Sequence, residues 1–408
     1  MKISGSGKML SISIASIASG LISYLFVFVG SRVIETTDMS QVLSFWAMSN
    51  TLVLAFAIPL DTIAPKFIAR PKTSDIEVSF VLHGLAISAV VLFLFILLSI
   101  LKLHSYFRGY EIVGSLFVLS LGFWSGVRAV FVGRADFTNF LKLTIANSFI
   151  ALAGLIVVFA YKNREPQFLL LPIAAGNLLA AGIGFSQILV RRNNYVRHKK
   201  INFNLGKDAY KMASALVLAT GVSLTMNNGG IALAPILGAS PDFVIAFAAV
   251  VSLVQVPMML LNNLSLFVNI RMTRWSEEGQ REKILSLYYQ TLLFFFACTC
   301  LILTLTFFFS PLGISFFVSE QFHIARTTAV LAAAGVCIDW LTVMPRLLGL
   351  ALGRATQIWK VWTAGSISYI AVFFTPIQAS SQIIAAPIIG GVVILAFGTI
   401  SIKSSSST

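Results

Sequence analysis

Twelve apolar segments of about 20 residues each follow one another along the chain and constrain its fold more than any other feature. A helix of that length crosses the hydrocarbon core of a bilayer, where every backbone polar group needs a partner within the protein. The sequence therefore predicts an all-α polytopic membrane protein with about 12 transmembrane helices. The predicted spans are 10–30, 42–60, 78–101, 112–133, 143–161, 168–190, 212–237, 243–269, 285–309, 327–350, 358–375 and 383–402.

Composition agrees with this prediction. Hydrophobic residues make up 57% of the 408 residues and charged residues only 11%, and the mean hydropathy is +0.90. A soluble domain carries about 25% charged residues, because it must cover its surface with polar groups. A soluble globular protein is therefore excluded.

Lysine and arginine indicate the orientation of the spans. With the N-terminus inside, the cytoplasmic segments hold 22 of these residues and the outer loops hold 6. Cytoplasmic loops are enriched in Lys and Arg, so both termini are expected in the cytoplasm. The first span is too long for a signal-peptide core and has no small-residue cleavage site, so it is expected to be retained.

Half of the net charge of +14 lies in two predicted cytoplasmic segments, 191–211 and 271–283, which hold 11 of the 29 Lys and Arg residues. Basic segments beside a membrane are attracted to anionic lipids of the inner leaflet. Membrane lipids are thus the expected partners of these segments, and no nucleic acid is expected.

The long basic segment divides the spans into six and six. It predicts an N-terminal bundle at 1–190, a cytoplasmic linker at 191–211, a C-terminal bundle at 212–403 and a disordered tail at 404–408. Two halves with an even number of helices share one orientation, so a pseudo-twofold axis along the membrane normal can relate them. The tripeptide Gly-Arg-Ala recurs at 133–135 and 353–355, in equivalent connections, and favours a duplication.

Asp339 and Arg346 lie in the tenth predicted span. Seven residues turn a helix by about 700°, so the two side chains point to nearly the same face. A charged Asp at a helix centre costs about 2.5–3.5 kcal/mol on insertion scales. Either this face lines a water-filled cavity, with Asp339 coupled to a proton or cation, or Asp339 is hydrogen-bonded in a helix contact while Arg346 extends to the interface.

Two further arginines are candidates for a cavity. Arg32 closes the first span at the outer face, where it could instead pair with Glu35 or Asp38. Arg128 lies about one turn from the cytoplasmic end of the fourth span, where it could extend to the membrane surface.

The seventh span contains TMNNGGIALAPILG, with the candidate polar residues Asn227 and Asn228. Glycine and proline weaken a helix, and interrupted helices often form substrate sites in transporters. The alternative is that the helix ends early, near the outer surface. The amides Asn147 and Asn177 in other spans are expected to bridge helices.

No catalytic constellation is evident. The four histidines are dispersed, the three cysteines lie in predicted spans, and GSGK at 5–8 lacks the spacing of a phosphate-binding loop. The longest predicted outer loop, 310–326, is too small for an enzyme that acts on external polysaccharide. We therefore expect no enzyme, no metal site and no cofactor.

The stretch SYLFVFVGSRVIETTDMSQVLSFWAMSNTLVLAF resembles the opening of Wzx-type polysaccharide-unit flippases. The stretches TMNNGGIALAPILGASPDFVIAFAAVVSLVQVP and RMTRWSEEGQREKILSLYYQTLLFF resemble later parts of that family. The family belongs to the multidrug/oligosaccharidyl-lipid/polysaccharide exporter superfamily, with two six-helix bundles around a cleft. This chain departs from the family pattern at Thr36 and Ser40, where relatives usually carry Pro and Gly.

The resemblance implies a flippase of a bacterial plasma membrane. Such a protein would move undecaprenyl-pyrophosphate-linked oligosaccharides to the outer leaflet, with an ion gradient often invoked and polymerase or chain-length proteins as partners. Arg32 is the residue that matches the family by position. In this hypothesis Arg32, Arg128 and Arg346 line a cationic path, with Asn227 and Asn228 as further candidates and Asp339 as the ion-coupling residue.

Two other functions remain open. A multidrug/cation antiporter of the same superfamily needs acidic groups in its cavity, and Asp339 is the only acid predicted at depth. A membrane-embedded glycan polymerase or acyltransferase is less favoured, because the outer loops are small and the histidines are scattered.

Overall fold

A computed structural model describes residues 20–68, 74–100, 111–134, 136–162, 164–195, 207–318, 322 and 324–404. The regular elements within these ranges are α-helices, as predicted. They are α1 (Gly20–Val33), α2 (Thr36–Ile68), α3 (Ser74–Ile100), α4 (Glu111–Gly133), α5 (Phe137–Tyr161), α6 (Gln167–Tyr195), α7 (Lys207–Leu233), α8 (Pro241–Glu277), α9 (Arg281–Val318), α10 (Arg326–Ala351), α11 (Ala355–Val372) and α12 (Ala379–Ser404).

Ten of the described helices, α2 to α10 and α12, are long and apolar enough to cross a membrane. The start of the first predicted span, 10–19, lies outside the described residues. Large apolar side chains also cover outer surfaces: on α9, Leu293 is 70% exposed and Leu312 is 67% exposed. A soluble monomer seldom exposes large continuous apolar patches, so these faces are suited to lipid, and the chain is a multi-pass membrane protein.

Helices α8 and α9 are longer than predicted. The segment 271–283, predicted as a basic loop, is mostly helical, and α8 and α9 are joined by a tight turn at Gly279, whose φ is +71°. The outer loop predicted at 310–326 is shorter as well, because α9 continues to Val318. Because the helical hydrogen bonds continue beyond the apolar segment, hydropathy alone underestimates the length of these helices.

The chain forms two compact units, Met1–Gly221 and Val222–Thr408, with the boundary inside α7. The predicted linker lies partly outside the described residues, at 196–206, as does the predicted tail at 405–408. In the first unit, α4 packs against α2, α3 and α6, while α5 packs on α6 and α2 on α3. In the second unit, α10 packs against α8, α9 and α12, while α11 packs on α12 and α8 on α9.

The same packing pattern therefore occurs twice, displaced by six helices, as a duplication predicts. The last residues of α4 and α10, Gly133 and Ala351, are 218 positions apart, and so are the first residues of α5 and α11. The Gly-Arg-Ala tripeptides are 220 positions apart, so they do not hold the same place in the two turns. Gly133 is helical, whereas Gly353 lies beyond its helix with φ +69°.

Close helix packing in the first unit depends on glycine. A Cβ atom built on Gly84 of α3 would lie 2.3 Å from the carbonyl oxygen of Gly122 on α4, and the reverse distance is also 2.3 Å. No side chain of either helix could move to relieve that contact, because the obstacle is backbone. Small residues at such a contact let two membrane helices approach closely.

Candidate functional site

Asp339 lies in the middle of α10 and is only 2% exposed. Two side chains of α7 donate hydrogen bonds to its Oδ2 atom: Ser223 Oγ at 2.9 Å and Asn227 Nδ2. The hydroxyl of Thr342 donates to the backbone carbonyl of Asp339 at 2.6 Å. The carboxylate is therefore held in a polar contact between α7 and α10 within the second unit.

The polar contact leaves two oxygens without a donor. Asp339 Oδ1 and Asn227 Oδ1 are buried and have no hydrogen-bond partner among the described residues. Buried polar groups are normally paired, because an unmade hydrogen bond costs about 1–3 kcal/mol. Unpaired acceptors on an acid and an amide are the chemistry that holds a proton or a hard cation such as sodium.

Local sequence explains why Ser223 and Asn227 can reach the same neighbour. Ser223 and Asn227 are four residues apart, so they share one face of α7. Gly229 follows two residues later, on roughly the opposite face of α7, and a Cβ there would lie 2.6 Å from Tyr369 Oη on α11. The glycine thus allows α7 to pack closely against α11.

The structure distinguishes the two interpretations of α7. The helix is continuous through Asn227, Asn228 and Gly230, and it ends at Leu233, before Pro235. An interrupted helix is therefore wrong, and the early end is correct. The glycines serve helix packing, since a Cβ on Gly230 would lie 2.8 Å from Ile383 Cγ2. Asn228 is 7% exposed.

Arg346 lies two turns further along α10 and is partly buried. Its guanidinium interacts electrostatically with Asp339. Its neighbours Met344, Leu347 and Leu348 belong to an apolar cluster within the second unit. The sequence left two arrangements open for Asp339, a face lining a water-filled cavity and a hydrogen-bonded helix contact. The structure shows the helix contact.

Arg128 in α4 forms an ion pair with Asp61 in α2. The sequence placed Asp61 just beyond a span that ended at Leu60, but α2 continues to Ile68 and the carboxylate lies inside the helix. The signal that could have identified Asp61 as the partner of Arg128 was the similar depth of the two residues in the membrane. Both residues lie in the last two turns of helices predicted to end on the same side of the membrane.

Two more ion pairs lie in the first unit. Arg134 donates from two nitrogens to both carboxylate oxygens of Glu77, which is 4% exposed. Arg191 lies 3.4 Å from Asp136, the residue that caps the N-terminus of α5. Asp61 and Glu77 are not among the functional residues that the sequence predicts.

Arg32 has a different environment from the deep arginines. It is exposed at the end of α1, with its guanidinium carbon 3.9 Å from the ring centroid of Phe28, and its Nη1 atom donates to the Phe28 carbonyl at 3.3 Å. This geometry suits a cation–π contact at a surface.

No group of three or more His, Cys, Asp or Glu side chains among the described residues could hold a metal ion. The three cysteines, Cys298, Cys300 and Cys337, are free thiols.

No protein-family model matches the sequence, and no curated protein sequence matches it. Solved structures do match. An outward-facing multidrug resistance MATE family transporter of the MOP superfamily has a TM-score of 0.67 and 11% identity, covering 98% of this chain and 97% of that one. The chain has the same fold as the MATE transporters.

Two further matches have this fold. An inward-facing multidrug resistance MATE transporter has a TM-score of 0.67 and 10% identity, with 97% and 96% of the two chains covered. A MOP superfamily transporter from Pyrococcus furiosus, described as having a binding pocket of reverse polarity that suggests a different function, has a TM-score of 0.67 and 11% identity, with 98% and 97% covered.

Proposed function

We propose that the protein is a cation-coupled exporter, a multidrug/cation antiporter of the MATE kind, in the plasma membrane of a bacterium. The observation that carries this proposal is the buried Asp339 carboxylate, held by Ser223 and Asn227, with two acceptor oxygens left unpaired. A proton or sodium ion bound there would neutralise a carboxylate that is costly to bury alone.

The pairing of the deep arginines with acids supports an antiporter over a flippase with a cationic path. The sequence suggested several deep arginines against a single deep acid. In the structure Arg128 is matched by Asp61, and Arg346 interacts electrostatically with Asp339. The deep arginines therefore do not form an excess of positive charge that would favour an anionic substrate.

The fold supports transport between two states. Matching MATE structures are described as inward-facing and outward-facing, and a cation that binds one state more tightly shifts the population toward it. Release of the cation from Asp339 on one side and rebinding on the other would couple an ion gradient to export of the substrate.

Transport by purified protein in proteoliposomes tests this proposal. An imposed proton or sodium gradient is expected to drive efflux of a fluorescent organic cation by the wild type. Asp339→Asn is expected to lower the gradient-driven rate at least tenfold, whereas Asp242→Asn, an exposed acid at the start of α8, should leave it unchanged. Equal rates in wild type and Asp339→Asn would overturn the proposal.

A second candidate is the lipid-linked oligosaccharide flippase that the sequence resemblance implies. It is favoured by Arg128 and Arg346, which hold equivalent positions in the two repeats, and by the P. furiosus transporter, since its described reverse pocket polarity indicates that this fold accommodates different functions. An aqueous path for the head group is the physical requirement, because burying each unpaired hydroxyl costs about 4–8 kcal/mol on alkane scales.

A second assay separates the two candidates. Vesicles carrying a fluorescent undecaprenyl-pyrophosphate glycan report flipping, and the organic cation reports drug export. Flipping without cation export would favour the flippase. In that case Arg128→Ala and Arg346→Ala should lower flipping, while insertion into the membrane, measured by fluorescence size-exclusion chromatography, stays intact.

A further inference from the structure

The turn between α8 and α9 contains a cavity of about 430 Å³. Its lining residues are Arg271, Arg274, Trp275, Glu278, Gln280 and Lys283. The volume falls within the range of about 300–1,000 Å³ seen for small-molecule sites. All of these residues belong to the second unit, and none is part of the Asp339 contact.

The charges that line this cavity do not cancel. Glu278 is the only acid among its described lining residues, and its carboxylate accepts a hydrogen bond from Arg274 Nε at 3.0 Å. No carboxylate among the described residues pairs with Arg271 or Lys283. The cavity is therefore lined by two cations that keep their charge available for an anion.

The wall of the cavity is held in place by packing. The side chain of Trp275 packs against an apolar cluster that includes Met272 and Ile284. The backbone N–H of Gln280 donates to the Trp275 carbonyl at 2.8 Å, which closes the turn. Ser276 Oγ donates to the carbonyl of Ala351 at the end of α10. The cations are thus presented from a rigid turn.

We propose that this cavity binds the phosphate of an anionic membrane lipid headgroup. Basic pockets at the ends of membrane helices suit phosphate headgroups, and Trp275 supplies an aromatic side chain of the kind found at membrane interfaces. The turn lies on the predicted cytoplasmic side, where anionic lipids are found. Arg271 and Lys283 bind the phosphate, and Trp275 contacts the glycerol and upper acyl region.

Native mass spectrometry of the full-length protein tests this site. Phosphatidylglycerol and phosphatidylcholine are titrated into detergent-solubilised wild type, Arg271→Gln/Lys283→Gln, and a control, Lys142→Gln/Lys360→Gln. The control removes two exposed lysines from the same predicted side. The wild type and the control should prefer phosphatidylglycerol. The cavity variant should bind it at least tenfold more weakly, because each basic residue near anionic lipid contributes about a factor of five in affinity.

Three outcomes would overturn the proposal. Unchanged binding by the cavity variant would remove these residues from lipid recognition. Equal weakening in the cavity variant and the control would indicate a general surface-charge effect. Binding of inorganic phosphate as tight as that of phosphatidylglycerol would indicate a soluble anion as the ligand.

Discussion

Arg128 in α4 and Arg346 in α10 hold the same position in two equivalent helices, each five residues before the helix ends. The acids that act on them come from different elements, and the structure describes an ion pair for Arg128. Arg128 pairs with Asp61 from α2, whereas Arg346 interacts with Asp339 on its own helix. The helix equivalent to α2 is α8, and its only acids, Asp242 and Glu277, lie at its two ends. A repeated scaffold thus carries two different charge arrangements, and the second one includes the proposed ion site.

Loss of the Asp339 charge should affect coupling more than stability. Asp339→Asn keeps the size of the side chain and an oxygen that can accept from Ser223 and Asn227. We expect the melting temperature in detergent to change by no more than a few degrees, because the amide keeps the hydrogen bonds to α7 and replaces a carboxylate that is costly to bury. A collapse of the folded protein would assign Asp339 a structural role instead.

Ser223 should affect the affinity of the Asp339 site for the coupling cation. Ser223→Ala removes one of the two donors to Asp339 Oδ2, which leaves the carboxylate less stabilised in its charged form. We expect weaker dependence of transport on the cation gradient, with a half-saturating cation concentration shifted several-fold. Ser186→Ala is the matched control, since its exposed hydroxyl bonds only to its own helix. A shift of equal size in both variants would argue against the site.

The Arg128–Asp61 pair should show strong coupling in a double-mutant cycle. Arg128→Gln alone leaves the Asp61 carboxylate unpaired in a partly buried position, and Asp61→Asn alone leaves the guanidinium unpaired. Each single change should lower the melting temperature, and the double variant should be more stable than the sum predicts. The exposed pair Arg274–Glu278 is the comparison, with an expected coupling of about 0.3–0.5 kcal/mol. Additive effects at Arg128 and Asp61 would contradict the ion pair.

The buried amides of the first unit should matter for stability alone. Asn147 Nδ2 donates to Asn177 Oδ1 at 2.9 Å, and Asn177 Nδ2 donates to Ser120 Oγ at 3.3 Å, which links α5, α6 and α4. Hydrogen bonds between membrane helices contribute about 0.6 kcal/mol on average and up to about 1.7 kcal/mol. Asn177→Ala should lower the melting temperature while the transport rate per folded molecule stays unchanged. A selective loss of transport would place this network in the mechanism.

Replacing glycine by alanine should change the melting temperature in opposite directions at two positions. Gly84→Ala forces a Cβ against the Gly122 carbonyl, so the melting temperature should fall. Gly182→Ala in α6 meets nothing within 4 Å and should raise it slightly, since Ala is favoured over Gly in a helix by about 1 kcal/mol. A melting temperature that rises for Gly84→Ala as well would show that the α3–α4 contact is looser than described.

The amino-acid sequence by itself determined the fold class and the candidate charges. Apolar length and low charge were sufficient to predict the spanning helices, because the bilayer admits few other structures. Asp339 and Arg346 were found on one helix face, because helical periodicity alone relates residues seven apart.

Only the tertiary structure decided what those charges meet. Asp61 and Arg128 are 67 positions apart, and Asn227 and Asp339 are 112 apart, so helix periodicity does not relate them. The continuous α7 and the role of Gly229 and Gly230 also depended on packing, because a glycine that weakens an isolated helix can stabilise a contact between two helices. Partners across helices are set by three-dimensional packing, and local sequence carries no direct record of it.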